Sequence, residues 1–231
     1  MNDATVSFSK LLVSLVYLAF FPFILFVLAG DWHWIEGWVF SFLFLLMSFG
    51  SLVYLYFHDP ALLKERFGSP VQQAQKPWDK VLLSLFMLEF FVWFAIMPLD
   101  SRRYGWSPAF PLWLRVVGAL LVAVAIYLVF EAMRQNTFAA PVVKMQKERG
   151  QTVVSSGLYS IVRHPMYAGA TLLFVSTPLL LGSVYGLVIG AILIITIAIR
   201  SLGEEAMLKQ ELEGYSDYMK KVKWRMIPFV F

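Results

Sequence analysis

Two stretches of this 231-residue sequence hold side chains suited to chemistry in an otherwise apolar chain. The first runs from Glu131 to Tyr167 and ends in Arg163-His164-Pro165-Met166-Tyr167, just before a long uncharged run. Proline at the start of a helix fixes φ and lacks the N–H that would be orphaned there. The free amides of the first turn then sit at the positive end of the helix dipole, where a carboxylate or phosphate can be held. Arg163, His164 and Tyr167 would surround that end. The plainer reading is a basic interface anchor at headgroup level. The second stretch runs from Arg200 to Phe231 and reads as one amphipathic helix followed by a basic segment. Arg200 and Glu204 share a helical face at i, i+4 spacing, with Glu205 one position round. A surface ion pair of that kind would matter little. Arg200, however, directly follows the apolar run Ile192–Ile199, where an idle charge is costly.

The elements that must position these groups are membrane helices. Hydrophobic residues make up 59% of the chain and charged residues only 15%, against about 25% charged in soluble domains. The mean hydropathy is +0.69. With no cysteine, disulfides, thiolate metal sites and cysteine nucleophiles are excluded, and three histidines argue against a metal centre. Nothing suggests nucleic-acid binding. Four apolar stretches approach the ~20 residues that cross a bilayer: Leu11–Ala29, Trp38–Phe57, Val81–Pro98 (which carries Glu89) and Val116–Phe130. A fifth, Ala168–Ile199, has 32 residues without a charge, about 48 Å as one helix at 1.5 Å per residue. Pro178 and Gly182-Ser183 near its middle predict two helices in a tight hairpin, about 166–181 and 184–201. The fold class expected is therefore all-α, a polytopic membrane bundle of about six transmembrane helices.

Basic residues support six spans. Short cytoplasmic loops collect Lys and Arg. Six spans with both termini inside place all but three of the 19 basic residues in the cytoplasm, the exceptions being Arg102, Arg103 and Arg115. Five spans would split them almost evenly. Trp32, Trp34 and Trp38 suit an aromatic belt. Asp59-Pro60 would cap a short helix lying on the inner surface. Glu131 and Arg134 read as an interface pair, and Glu89 as a mid-span hydrogen-bonding group. The chain divides into a four-span region, residues 1–133, and a chemical core, residues 134–231.

The residues Gly157-Leu-Tyr159-x-x-x-Arg163-His164-Pro165-Met166-Tyr167-Ala-Gly169, followed by the hairpin, then Arg200-x-x-x-Glu204-Glu205 and Tyr215-x-x-Tyr218, resemble the isoprenylcysteine carboxyl methyltransferase family. Phospholipid methyltransferases share much of this pattern. The resemblance covers about Asn136 to Pro228. It implies a methyltransferase of the inner membrane that uses S-adenosylmethionine, takes a lipophilic acceptor from the bilayer and works on the cytoplasmic side. It also implies site residues. Gln151, Thr152, Val153 and Val154 would line the adenosine side, and Tyr159 would contact the cofactor. His164, Pro165, Met166 and Tyr167 would hold its methionine end, with Glu204 also binding it. The family's upstream glutamine falls on Lys144, with Gln146 the chemically similar neighbour. Arg200 would face a carboxylate acceptor and Glu205 would lie on the acceptor side; phospholipid amines and thiols are alternative acceptors. A membrane reductase with an RHxNY-type element is a competing reading, opposed by Met166 and the Glu204-Glu205 pair. A transporter or structural bundle would need more charges at mid-membrane than Glu89 alone.

Overall fold

The computed structural model describes residues 8–69, 72 and 74–231. The expected cytoplasmic N-terminus concerns residues 1–7, which lie outside them. Six apolar helices alternate in direction: α1 (Phe8–Ala29), α2 (Ile35–His58), α4 (Pro77–Pro98), α5 (Leu112–Gln135), α6 (Pro165–Leu181) and α7 (Val184–Glu211). Two short helices, α3 (Pro60–Arg66) and α8 (Tyr215–Lys221), complete the α-helices among the described residues, alongside a π-helical turn at Leu99–Tyr104 and 3-10 turns at Lys147–Arg149 and Gly157–Ser160. Ile35–His58, Pro77–Tyr104, Leu112–Gln135 and Val184–Glu211 are long and apolar enough to cross a membrane, while Val13–Ala29 and Pro165–Leu181 are shorter apolar segments. The protein is an integral membrane protein. Large apolar side chains face outward along the helices, for example Leu120, Val124 and Tyr127 on α5 and Val188, Ile192 and Ile195 on α7. That is the pattern lipid contact requires.

Local chemistry sets the helix ends. Asp59 Oδ1 accepts a hydrogen bond from Leu62 N at 2.9 Å and caps α3 ahead of Pro60. The hairpin turns where expected: Gly182 adopts a left-handed φ of +80°, and Ser183 Oγ accepts from Gly186 N at 2.8 Å to cap α7. Two expectations fail. The C-terminal segment is not one amphipathic helix, because Gly214, at φ +81°, breaks it between α7 and α8. Trp34 is not a belt residue. It is 3% exposed and packs in the core cluster with Phe26, while Trp32 and Trp38 remain exposed.

α6 lies between α5 and α7, and small residues let the three approach closely. Gly118, Ala125 and Ala132 of α5 are buried at seven-residue spacing, which keeps them on one face. Gly169 of α6 faces this stripe, and Gly190 of α7 faces the carbonyl of Phe174. Such contacts are the usual way helices associate in lipid, where burial alone gives little driving force.

The two ends of the bundle differ. One is knitted by Asp31 with Arg102, Glu36 with Arg115, and buried Asp100, which accepts from Ser107 Oγ and Ser183 Oγ at 2.6 Å. At the other end lie α3, the start of α4, the end of α5, the start of α6, the extended end of α7 and all of segment 136–164. There Lys144 meets Glu65 at 2.7 Å, and Lys76 N donates to Val143 O at 3.1 Å. Glu89, midway along α4, accepts from Thr196 Oγ1 at 3.0 Å, a bond between helices.

A Cβ on Gly169 would lie 2.8 Å from Val129 and 3.0 Å from the Ala125 carbonyl. Gly169→Leu should cost about 1–3 kcal/mol through overpacking. On Gly50 of α2 a Cβ meets nothing within 4 Å, so Gly50→Ala should gain up to about 1 kcal/mol. Thermal unfolding in detergent checks the contrast.

Candidate functional site

A cleft opens at the second end of the bundle, between segment 136–154, the start of α6, the outer part of α7 and α8. Two carboxylates and two guanidiniums organise it. Arg200 of α7 is 7% exposed. Its Nε donates to Asp79 Oδ1 at 2.7 Å, its NH2 to the Pro141 carbonyl at 2.8 Å and its NH1 to Tyr167 Oη at 3.0 Å. Asp79, in the first turn of α4, is fully buried and also accepts from Gln75 Nε2 and Val143 N, each at 2.8 Å. One ion pair therefore ties α4, α6, α7 and the long segment together. Tyr167 Oη passes the chain on, donating to Glu204 Oε2 at 2.7 Å.

Glu205 is the second hub. Arg163 Nε donates to its Oε1 at 2.6 Å and Arg225 Nε to its Oε2 at 2.8 Å, with His164 Nε2 3.2 Å from Oε1. Arg163 NH1 also donates to the carbonyls of Val222 and Lys223 at 2.7 Å. Backbone bonds from Arg163 N to Trp224 O and from His164 N to Arg225 O complete the joint between the start of α6 and the C-terminal segment. The His164 ring stacks on Tyr167, with centroids 5.3 Å apart and planes 5° apart. On the far wall Gln146 Nε2 donates to Phe138 O at 2.8 Å, its backbone N–H donates to Gln151 Oε1 at 2.8 Å, and Arg149 NH1 donates to its Oε1 at 2.5 Å.

Among the described residues, no group of three or more His, Asp or Glu side chains could hold a metal ion. Tyr215 is 4% exposed and lines the cleft, and its Oη has no hydrogen-bond partner among the described residues. Burial holds the Tyr159 phenol up at about 12 and pushes those of Tyr215 and Tyr218 up as well, so all three are neutral donors at ordinary pH.

By sequence, residues 113–213 match the family model described as phospholipid methyltransferase. The match starts with α5 and ends just after α7, so the matched stretch contains the α5–α6–α7 core and most of the cleft. No curated protein matches the sequence. The fold is similar to that of a eukaryotic intramembrane Ras methyltransferase, isoprenylcysteine carboxyl methyltransferase, with a TM-score of 0.50 at 18% identity; the match covers 98% of this chain and 88% of that one.

The cleft gathers Gln146, Gln151, Thr152, Val153, Val154, Tyr159, His164, Met166, Tyr167, Arg200 and Glu204. Pro165 and Glu205 do not line it. Pro165 is buried at the first turn of α6, and Glu205 faces Arg163, Arg225 and the His164 ring behind the wall. Arg200 lines the cleft but is already engaged by Asp79, Pro141 and Tyr167. Asp79 and the unpartnered hydroxyl of Tyr215 were not foreseen as site residues. For Asp79 the available signal was an acid at the mouth of one span with a buried arginine at the mouth of another. Tyr215 stood within the resembling pattern.

Two outcomes follow from the geometry. Asp79→Asn leaves the Arg200 charge without its partner and should destabilise the protein by about 3–5 kcal/mol, whereas a paired Asp79→Leu, Arg200→Met variant should cost much less. Chemical denaturation in micelles measures both. The raised tyrosines contribute stability that is whole below the ordinary phenol value of 10.0 and is lost as pH rises through about 12. Tyr159→Phe should flatten that alkaline loss, read as tyrosinate absorbance alongside unfolding.

Proposed function

We propose that this chain transfers a methyl group from S-adenosylmethionine to a lipophilic acceptor, at this cleft and on the cytoplasmic face of the inner membrane. The observation that carries the reading is the pairing of Glu204, whose side chain is 26% exposed, with the buried, unpartnered hydroxyl of Tyr215 in one cleft. A cationic ligand with a polar nucleoside matches that donor and acceptor set: a carboxylate for the positive end and neutral phenols for hydroxyl or ring nitrogen atoms. The cleft's free volume is about 90 Å³.

The bound cofactor supplies an electrophilic methyl group on a sulfonium. The chain's task is to orient and to exclude water, since methyl displacement needs little acid–base help. Glu205 with Arg163, Arg225 and His164 fixes the entry to α6, so Met166 and Tyr167 are presented at the cleft from a rigid base. Asp79 fixes Arg200, and Arg200 fixes the Tyr167 hydroxyl against Glu204. Gln151 to Val154 and Tyr159 form the opposite wall, where the adenosine would lie. The acceptor favoured is a carboxylate, as the neighbour's name states for that protein; a phospholipid amine or a thiol is the alternative.

Tyr215→Phe deletes one unpaired hydroxyl and leaves the fold intact. It should weaken S-adenosylmethionine binding by roughly two- to tenfold, the worth of one hydrogen bond; unchanged affinity by calorimetry would remove Tyr215 from the site. Labelled methyl transferred to a lipid extract should be released as methanol by mild base if the product is an ester. Base-stable label would point to an amine or thiol acceptor.

A further inference from the structure

A second space lies beside the cleft, walled by α5 and by helices that precede the family match. It is a groove between α1, α2 and α5, closed at one end by α3, with a volume of about 690 Å³. That lies within the usual 300–1,000 Å³ range of ligand sites. Its walls are mostly apolar, with Leu18, Leu52, Ile126 and Phe130 among them, and among the described residues Arg66 is the one charged residue on them. Next to it lies a smaller chamber of about 180 Å³ lined by aromatic rings, Phe40 and Trp93 included. Ser48, Ile126 and Val129 line both spaces.

Arg66 stands where the groove meets the cleft. Its NH1 donates to the Ala139 carbonyl at 3.1 Å and lies 3.9 Å from Met166 Sδ. Ala139 and Met166 are both cleft residues. Among the described residues no carboxylate pairs with Arg66; its neighbour Glu65 is taken by Lys144 at 2.7 Å. A guanidinium at an apolar wall with only a carbonyl and a thioether for partners carries an uncompensated charge, which an oxyanion would neutralise with two parallel hydrogen bonds. Arg200 cannot offer this without releasing Asp79.

We propose that the groove and Arg66 form the acceptor subsite for a carboxylate amphiphile, its single hydrocarbon chain lying between α1, α2 and α5 and its carboxylate on Arg66, facing the cleft. This rests on the methyltransferase reading. Arg66 is then a specificity residue contributed by the N-terminal half. In the transfer the sulfonium C–S bond breaks and its electron pair stays on sulfur. A carboxylate oxygen forms the new C–O bond, and no proton moves. The product is a neutral ester and the donor a neutral thioether. Methylation thereby removes the charge that held the substrate on Arg66, and the ester is free to slip back along the groove into the bilayer.

The test uses the full chain in neutral-lipid nanodiscs with two photoreactive probes, an ω-diazirine hexadecanoate and its methyl ester, with adducts mapped by mass spectrometry. Wild type should carry acid adducts on the groove faces of α2 and α5. Arg66→Gln should lower acid labelling roughly tenfold, the worth of a charged hydrogen bond, and leave ester labelling unchanged, with Arg66→Lys restoring part of the acid signal. Equal acid labelling in wild type and Arg66→Gln, or adducts spread evenly around the lipid-facing perimeter, would overturn the proposal. If Arg66→Gln does not fold, Ser51→Trp fills the groove from its wall and should abolish both labels; persistent labelling overturns the proposal equally. S-adenosylmethionine calorimetry on the same samples separates the two readings. Specific labelling without cofactor binding keeps the groove and sinks the methyltransferase, while cofactor binding without specific labelling sinks the groove alone.

Discussion

A single buried charge pair, Arg200 with Asp79, sets the shape of the polar end of this protein. A guanidinium and a carboxylate removed from water each cost several kcal/mol unless paired and fully hydrogen-bonded, and here both are. Arg200 reaches Asp79, the Pro141 carbonyl and Tyr167, while Asp79 also takes Gln75 and the Val143 amide. The partners come from three spanning helices and the long segment before α6. None can move far without orphaning another, so the pair fixes the register in which α4 and α7 meet. It also decides what the neighbouring groups are free to do. Glu204 and Glu205 are adjacent in sequence, yet Glu205 is taken by Arg163, His164 and Arg225, whereas Glu204 keeps only Tyr167 at hydrogen-bond distance and remains partly open to the cleft. One carboxylate holds the wall and the other offers charge to a ligand.

Much of this was legible in the residues because the bilayer makes strong demands. A stretch of lipid-facing backbone must be helical, so the six apolar helices follow from the uncharged runs, and Gly182-Ser183 marks the hairpin because a left-handed turn and a cap were needed there. Asp59-Pro60 fixed the start of α3 for equally local reasons. The failures are of a different kind. Trp34 obeys belt statistics by type but faces Phe26 by helical phase. Gly214 breaks a helix that amphipathic spacing would have continued. Asp79 sits in a polar stretch that reads as surface, and its burial depends on Arg200, 121 residues away. The sequence carries no local trace of that partnership. Arg163 illustrates the intermediate case: its place beside His164 and Pro165 signalled a site, but its guanidinium serves Glu205 and two tail carbonyls rather than the cleft.

The family match at residues 113–213 raises the question of what the first hundred residues do. Their helices hold no comparable motif, yet Phe26, Trp93 and Met97 are among the most deeply buried side chains in the molecule, and they join one core cluster with Tyr167 and Phe174 of α6. The N-terminal half is therefore not a separate anchor. It completes the packing around α6, and the close α5–α6 approach allowed by Gly118 and Gly169 leaves the opposite side of α5 to face α2 across the groove.

That division answers a physical problem of bilayer chemistry. A charged, water-soluble donor and an oily acceptor cannot share one pocket of uniform polarity, since whatever solvates one expels the other. On the proposed reading, two spaces of opposite character, separated by the thin wall of Ala139, Met166 and Arg66, would let each partner approach through its own medium. The wall residues are themselves mixed: a backbone carbonyl, a polarizable thioether and a guanidinium. Met166 belongs to the rigid start of α6, clamped through Glu205, while Ala139 belongs to the long segment before it.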